Sequence, residues 1–595
     1  VERLLPLIVV VPLLGAALLA AAGRHLPRQA GDTFGLLCAA TATALAGAEL
    51  ARGPRPVVSW LGGWTPVHGH SVGIVLVGDR TGLGLAALAS LLSAAVLVYS
   101  WRYFAEPPRR TPGAFPAMIL LFQAGMAGFA LTGDLFDAFV FFELMGVVAY
   151  ALTGYRVEAR RAVQGGLTFG VVNSLGGYAS LLGIGLLYAR TGQLGMAQIG
   201  RRLDQFPRHD AVLTAAFVLV LTGLLVKSAA VPFHFWLPDA HAVAPTPVCM
   251  LLSGVMVETG VYGVFRVYHT VFAGPGGVPA ADARRALLVL GVLTAVLGAV
   301  MCWQQRHLKR LLAFSTVAHT GLFLTALALF TPKATAGIAL YVLGHAGTKA
   351  ALFACAGVLL DRYGSVDEHE LHGRARELPF LGTLVAVGGL ALAGLPPFGT
   401  GLGKAVAEES ATPLPVLFVL VSALTGAAVL RAAGRVFLGA GRPLTDDGAD
   451  ATSGSGEEPE TEGEVRAVPP PMVAVAAALL LGALAVGTVP ALADAVARAA
   501  VSFTDHAGYA AAVLDARPPG TPSPPAVGWT LPGVLLGLVS AAVAVALAAL
   551  ALYRPALVAP LRRTGPLRRL QSGHIGDYVA WTAAGMGLLA VLTHW

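Results

Sequence analysis

Charge is scarce in this chain. Asp, Glu, Lys and Arg make up 12% of its 595 residues, half of the roughly 25% usual in a soluble domain. An ordinary water-soluble fold is excluded on that ground. Lysine is nearly missing: of 40 Lys and Arg residues only five are lysine, at 227, 309, 333, 349 and 404. Cysteine is sparse too. Cys38, Cys249, Cys302 and Cys355 lie in apolar runs or at their edges with no CxxC spacing, so no disulfide framework, zinc site or iron–sulfur ligation is indicated. With no haem or flavin motif either, no cofactor is expected here, and any electron transfer belongs to another subunit. The net charge of +7 is spread over short loops rather than gathered on one basic face, which argues against nucleic acid as a partner.

What is present is apolar. Hydrophobic residues reach 56%, and the mean hydropathy is +0.71. A membrane-spanning helix needs ~20 mostly apolar residues. About sixteen such stretches centre near Leu13, Thr41, Leu92, Gly125, Met145, Tyr178, Leu219, Val257, Gly291, Leu322, Cys355, Gly388, Val421, Leu480, Val543 and Gly587. The expected fold is an all-α, polytopic bundle in a bacterial cytoplasmic membrane, with the lipid bilayer as its solvent. The first run, Leu4–Ala22, is expected to stay as a span rather than be cleaved, because only Arg3 precedes it and more spans follow at once. Arginines in loops after odd-numbered spans, such as Arg156, Arg160, Arg161, Arg306, Arg362, Arg374 and Arg376, place those loops in the cytoplasm. The group Arg190, Arg201, Arg202 and Arg208 runs against that pattern. Residues 440–470 carry many Asp and Glu residues among Ser, Gly and Pro. That composition cannot bury a core and predicts a disordered linker.

The informative residues are ionisable groups inside apolar runs. Arginine serves wherever a fixed cation suffices, since it does not deprotonate in a protein, whereas a buried lysine can. Lys227 lies in LVLTGLLVKSAAVPFHFW. A lysine at a helix end would snorkel to the surface, but a long apolar run precedes Lys227, and an unpaired charge there costs at least ~2.5 kcal/mol. Glu143, in DAFVFFELMGVVAY, is the carboxylate in the middle of an early span, and Lys227 is the natural cation for it. His345 and Lys349 stand four residues apart in YVLGHAGTKAALF, hence on one helix face. His319 lies on the preceding span. One histidine in a helix is ordinarily a satisfied core residue, but a histidine and a lysine sharing a face suit a proton relay. Glu258 is mid-span in LLSGVMVETGVYGVFR. Lys404 follows the break GLPPFGTGLGK. Asp134, Asp137, Lys309 and Lys333 stand near helix ends, where capping or snorkelling is the default.

Two spans are interrupted by proline. The seventh contains Pro232, flanked by His234 and His241, and the twelfth contains Pro396 and Pro397. Both carry a lysine. Paired broken segments are the sequence mark of inverted-repeat transporters, with the working site near the breaks. These prolines and histidines are therefore candidates for access and gating.

Several strings carry a family resemblance: FFELMG, LLVKSAAVPFHFWLPDAHAVAPTPV, RHLKRLLAFSTVAHTGLF, GHAGTKAALF and LPPFG followed by GLGK. They resemble the antiporter-like membrane subunits shared by respiratory complex I, group 4 membrane-bound hydrogenases with formate hydrogenlyase, and multi-subunit cation/proton antiporters. The closing LQSGHIGDYVAW looks closest to the hydrogenase-type large subunits. The resemblance implies two inverted five-helix repeats, with helices 7 and 12 broken. The division would be spans 1–3 over residues 1–113, a first repeat over 114–270, a second over 284–439, the linker, and three C-terminal spans over 471–595. It further implies a hydrated axis through Glu143, Lys227, His319, His345, Lys349 and Lys404. Relatives commonly carry lysine in the eighth span where this chain has Glu258, so the sign of that site reverses. Either Glu258 pairs with Lys227 and passes protons differently, or the first half-channel is altered. The expected function is proton translocation within a redox-driven complex of several membrane subunits. The alternatives are a component of a multi-subunit Na+/H+ antiporter, in which Na+ moves as well, or a structural anchor that moves no ion.

Overall fold

The computed structural model describes residues 4–53, 55–67, 73–101, 113–412, 414–443, 460, 468–515, 523–558 and 570–594. Apart from one short antiparallel pair, β1 (Val57–Trp60) and β2 (Val75–Gly78), its regular structure is helical. Among the described residues, fourteen helices are long and apolar enough to cross a membrane, and Ala211–Lys227 and Pro379–Leu392 are shorter apolar helices. Taken in chain order, these two are the seventh and twelfth spans, so the structure agrees with sixteen crossings.

Local chemistry sets the boundaries. The fifth span, Leu135–Thr153, begins at Asp134, whose side chain accepts from the amides of Phe136 and Asp137, so Asp134 is an N-cap. The eleventh span, Pro332–Tyr363, starts with Thr331 as cap and Pro332 in the first turn, and it ends at Gly364 in the left-handed conformation.

Both short helices stop before a proline break and resume beyond it. The seventh span runs Ala211–Lys227 and continues as Trp236–Val243; the twelfth runs Pro379–Leu392 and continues as Gly399–Glu408. In lipid the carbonyls at a helix end need donors, and at each break a side chain adds to the backbone amides that cap it. The Trp236 indole donates to the Val226 carbonyl at 2.9 Å, and the Thr400 hydroxyl donates to the Ala391 carbonyl at 2.5 Å. The eighth span, Thr246–Phe272, is wound as a π-helix over Leu252–Met256, just before Glu258. Such turns recur at functional sites.

The middle of the chain forms the core. The eighth, tenth and eleventh spans are 94%, 94% and 89% buried over their apolar windows, against 33% for the second and 22% for the last. The outer spans therefore present apolar side chains outward, as helices facing lipid do. In the segment 440–470 the acidic residues other than Glu460 lie outside the described residues, as do Arg102, Arg109 and Arg110, the arginines of the loop after the third span, which the odd-loop pattern also assigns to the cytoplasm.

Candidate functional site: a buried line of ionisable side chains

Lys227 ends the first half of the seventh span and is fully buried. Its Nζ stands 4.2 Å from the centroid of the Phe142 ring, a cation–π distance. No hydrogen bond reaches that amine among the described residues. The fifth span makes room for it at Gly146, where a Cβ would lie 3.1 Å from Lys227 Nζ. Glu143 is one helical turn away on the same span and only half-buried. Its carboxylate lies over Gly177 of the sixth span (Arg160–Thr191), where any side chain would collide with Oε1. Glu143 and Lys227 are thus neighbours without a direct hydrogen bond.

Glu258 is buried on the eighth span, and its Oε1 is 2.9 Å from His345 Nδ1 on the eleventh. Of the two alternatives left open for Glu258, a pairing with Lys227 is not the one seen, because the carboxylate turns to the eleventh span. His345 in turn lies beside His319, with ring centroids 5.0 Å apart. His319 is fully buried on the tenth span, Leu308–Leu327. Its Nδ1 is 3.0 Å from the Tyr341 hydroxyl, and its Nε2 is 3.2 Å from Thr425 Oγ1. Tyr341 also meets Ser422 Oγ at 3.3 Å. Polar groups therefore line up from Glu258 through both histidines to the thirteenth span, Leu414–Leu438, with a ring contact rather than a hydrogen bond between the two histidines.

Lys349 shares the His345 face, as the four-residue spacing required, yet it points to the tenth span. It donates to the Leu312 carbonyl and, at 2.5 Å, to Ser315 Oγ. His241 reaches the next residue of that span indirectly. Its Nε2 is 3.1 Å from Ser253 Oγ, which is 2.8 Å from Thr316 Oγ1. His241 also stacks on Phe353, with centroids 4.7 Å apart. His234, at the Pro232 break, is buried against Phe235, and its Nδ1 has no hydrogen-bond partner among the described residues. At the second break, Gly394 takes φ 86°. A Cβ there would press on the stem of Lys404, so the glycine after the twelfth helix lets the lysine fold over the Pro396–Pro397 turn. Lys404 is buried, with its Nζ 3.8 Å from Glu408 Oε1.

The structure thus brings Glu258, His319 and His345 into one hydrogen-bonded or stacked string, with Lys349 anchored beside it. Lys227, with half-buried Glu143 beside it, and Lys404 form separate stations. Other expectations are revised. Lys309 does not snorkel: it is buried, donates to the Ala244 carbonyl at 3.2 Å and pairs with Glu460 at 2.5 Å. Lys333 does reach the surface, where it pairs with Glu409 at 2.8 Å. Sequence reasoning missed Tyr341, Ser422, Thr425, Ser253 and Ser315, because hydroxyls are common in spans and carry no signal alone. It also missed Glu408, although a carboxylate four residues after a buried lysine was visible. Among the described residues no group of histidines, cysteines and carboxylates is arranged to hold a metal ion.

Among the described residues, fourteen membrane-length helices and two shorter apolar ones around a row of mostly buried titratable side chains define a polytopic helical membrane protein. The family model described as NADH:quinone oxidoreductase/Mrp antiporter, TM, matches residues 132–430, which contains every station above, and the chain belongs to that family. An NADH-quinone oxidoreductase subunit of Desulforudis audaxviator strain MP104C is 35% identical over 403 residues, covering 66% of this chain and 77% of that protein. A Na(+)/H(+) antiporter subunit of Bacillus subtilis strain 168 is 28% identical over 62% of this chain and 74% of its own length. Among solved structures, a chain of the Mrp complex from Dietzia sp. DQ12-45-1b superposes with a TM-score of 0.74 at 27% identity, over 86% of this chain and 99% of its own. The chain is accordingly a multi-pass, antiporter-like protein of the cell membrane.

Proposed function

We propose that this chain is the proton-translocating, antiporter-like membrane subunit of a larger redox-driven complex and works beside other membrane subunits. The observation that carries the proposal is the string Glu258–His345–His319–Tyr341. Its hydrogen-bonded steps are Glu258–His345 at 2.9 Å and His319–Tyr341 at 3.0 Å, the two histidine rings lie 5.0 Å apart centroid to centroid, and Ser422, 3.3 Å from Tyr341, extends it to the thirteenth span. A proton can pass directly at the hydrogen-bonded steps, and between the two histidines it needs one bridging water or a small turn of a ring. The fourth to eighth spans (114–270) and the ninth to thirteenth (284–439) then serve as two half-units joined at Glu258 and His345.

In this reading Lys227 is the loading site of the first half-unit, reached past the Pro232 break with His234 and His241 beside it. Glu143 is near enough to favour the charged amine but not locked to it, so its own charge sets how firmly Lys227 holds a proton. When Glu143 is neutralised, Lys227 gives its proton towards Glu258. His345 and His319 carry it onward, Lys349 is the cation beside them, and Lys404 is the last lysine, behind the Pro396–Pro397 break. The driving force comes from a redox partner among the neighbouring subunits.

The test is proton pumping by membrane vesicles containing the complex. Lys227→Ala should abolish it, and Lys227→Arg should abolish it too, because arginine keeps its proton. Undiminished pumping by Lys227→Ala would sink the assignment. The likeness to the Bacillus subtilis Na(+)/H(+) antiporter protein favours one second reading, exchange of Na+ for protons. Its signature is sodium-dependent transport with no electron donor present.

A further inference from the structure

Beyond Lys404 the structure holds a carboxylate that the relay just described does not use. Glu408 is the last residue of the helix Gly399–Glu408, one turn and about 6 Å along the axis from Lys404. It is 3% exposed. One oxygen lies 3.8 Å from Lys404 Nζ, and neither oxygen has a hydrogen-bond partner among the described residues. A buried carboxylate ordinarily accepts several hydrogen bonds, so this one is held ready rather than built into the framework.

Its surroundings grade from sealed to wet. Lys404 is 1% exposed. The next residue after Glu408, Glu409, is at the surface, with its side chain 28% exposed and paired to Lys333 at 2.8 Å. Thr530 also donates to Glu409. This face is opposite the ends bearing Arg306, Arg362, Arg374 and Arg376. The helix is fixed there by close packing on the eleventh span. At Gly403 any side chain would collide with the Tyr341 backbone, so this helix lies directly against the eleventh span beside Tyr341.

We propose that Glu408 is the release-side proton carrier, taking the proton from Lys404 and delivering it to water at the face that bears Lys333 and Glu409. The step rests on the translocation reading above. An N–H bond of the Lys404 ammonium breaks as an O–H bond forms on Glu408, leaving a neutral amine and a neutral acid. The acid then loses its proton to water, which regenerates the carboxylate. Glu409 is no carrier, because Lys333 and Thr530 hold its oxygens.

The experiment compares Glu408→Gln, Glu408→Asp and Glu409→Gln in vesicles containing the assembled complex, with Lys227→Ala in parallel. Glu408→Gln, which keeps shape and loses the titratable group, should lower pumping at least about tenfold. Imidazole or formate trapped on the release side should restore a good part of it, while leaving the wild type unchanged. Glu408→Asp and Glu409→Gln should pump. Full pumping by Glu408→Gln, or a loss that neither buffer relieves while the complex is fully assembled, overturns the proposal. If Lys227→Ala abolishes pumping but Glu408→Gln does not, only the role of Glu408 has failed. If Lys227→Ala pumps normally, the translocation reading has failed with it.

Discussion

The carboxylate of Glu258 and the imidazole of His345 meet at 2.9 Å across the contact between the eighth and eleventh spans, and both side chains are sealed from solvent. The pair ties the eighth span to the eleventh through two groups that can each take up or release a proton. The arrangement also suits an acid at this position better than an amine. An amine at 258 would face His345, with Lys349 on the same helix face, and two cations close together in a poorly solvated site repel.

Glu258→Gln keeps the volume and removes the charge. We expect proton pumping to fall at least about tenfold, as for other lost proton-transfer groups, with the complex still assembled. Glu258→Lys should not restore it. Pumping assays on vesicles, normalised to the amount of assembled complex, decide the matter; wild-type rates for Glu258→Gln would remove this residue from the path.

The half-buried position of Glu143 depends on a missing side chain. Gly177→Ala places a Cβ against Glu143 Oε1, so the carboxylate has to swing off its seat beside the sixth span. The expected result is a several-fold loss of pumping without a loss of folded protein. A control at Gly185, where a Cβ meets nothing within 4 Å, should leave transport as it was. Equal behaviour of the two substitutions would show that the seat of Glu143 does not matter.

Stability against acid should depend on Glu368, in the loop between the eleventh and twelfth spans. Burial alone would raise its carboxyl, but Arg431 and Arg435 pull it below the ordinary carboxylate value. They lie 3.2 and 2.5 Å from its two oxygens. A folded value below the unfolded one means that the stabilisation is complete above about pH 4.3, the unfolded value for glutamate. It is lost as the pH falls through the depressed folded value. Glu368→Gln should therefore lower the thermal stability of the detergent-solubilised protein at pH 7, by about 3–5 kcal/mol if the pair behaves as other broken buried pairs do. The deficit should shrink in strong acid. A difference independent of pH would mean that the charge of Glu368 contributes nothing.

Much of the site was legible because lipid makes ionisable residues expensive. Lys227, Lys349, Lys404, His319, His345, Glu143 and Glu258 stood out as groups that an apolar run does not tolerate by default. The structure buries six of them and leaves Glu143 at half depth. Hydroxyl partners such as Tyr341 and Ser315 were not legible. They cost little in a helix, and their importance lies in whom they touch.

The sequence by itself determined the crossings, the two proline breaks and the kinds of residue sealed within them, because hydropathy, helix period and proline geometry act over a few turns of one segment. Only the tertiary structure decided the partners. That Glu258 turns to His345 instead of Lys227, that Lys349 binds the tenth span, and that Lys309 is buried against Glu460 all follow from how separate helices pack. A hydrogen bond or ion pair is settled over a few ångströms between residues tens to hundreds of positions apart, and no local pattern along the chain encodes that distance.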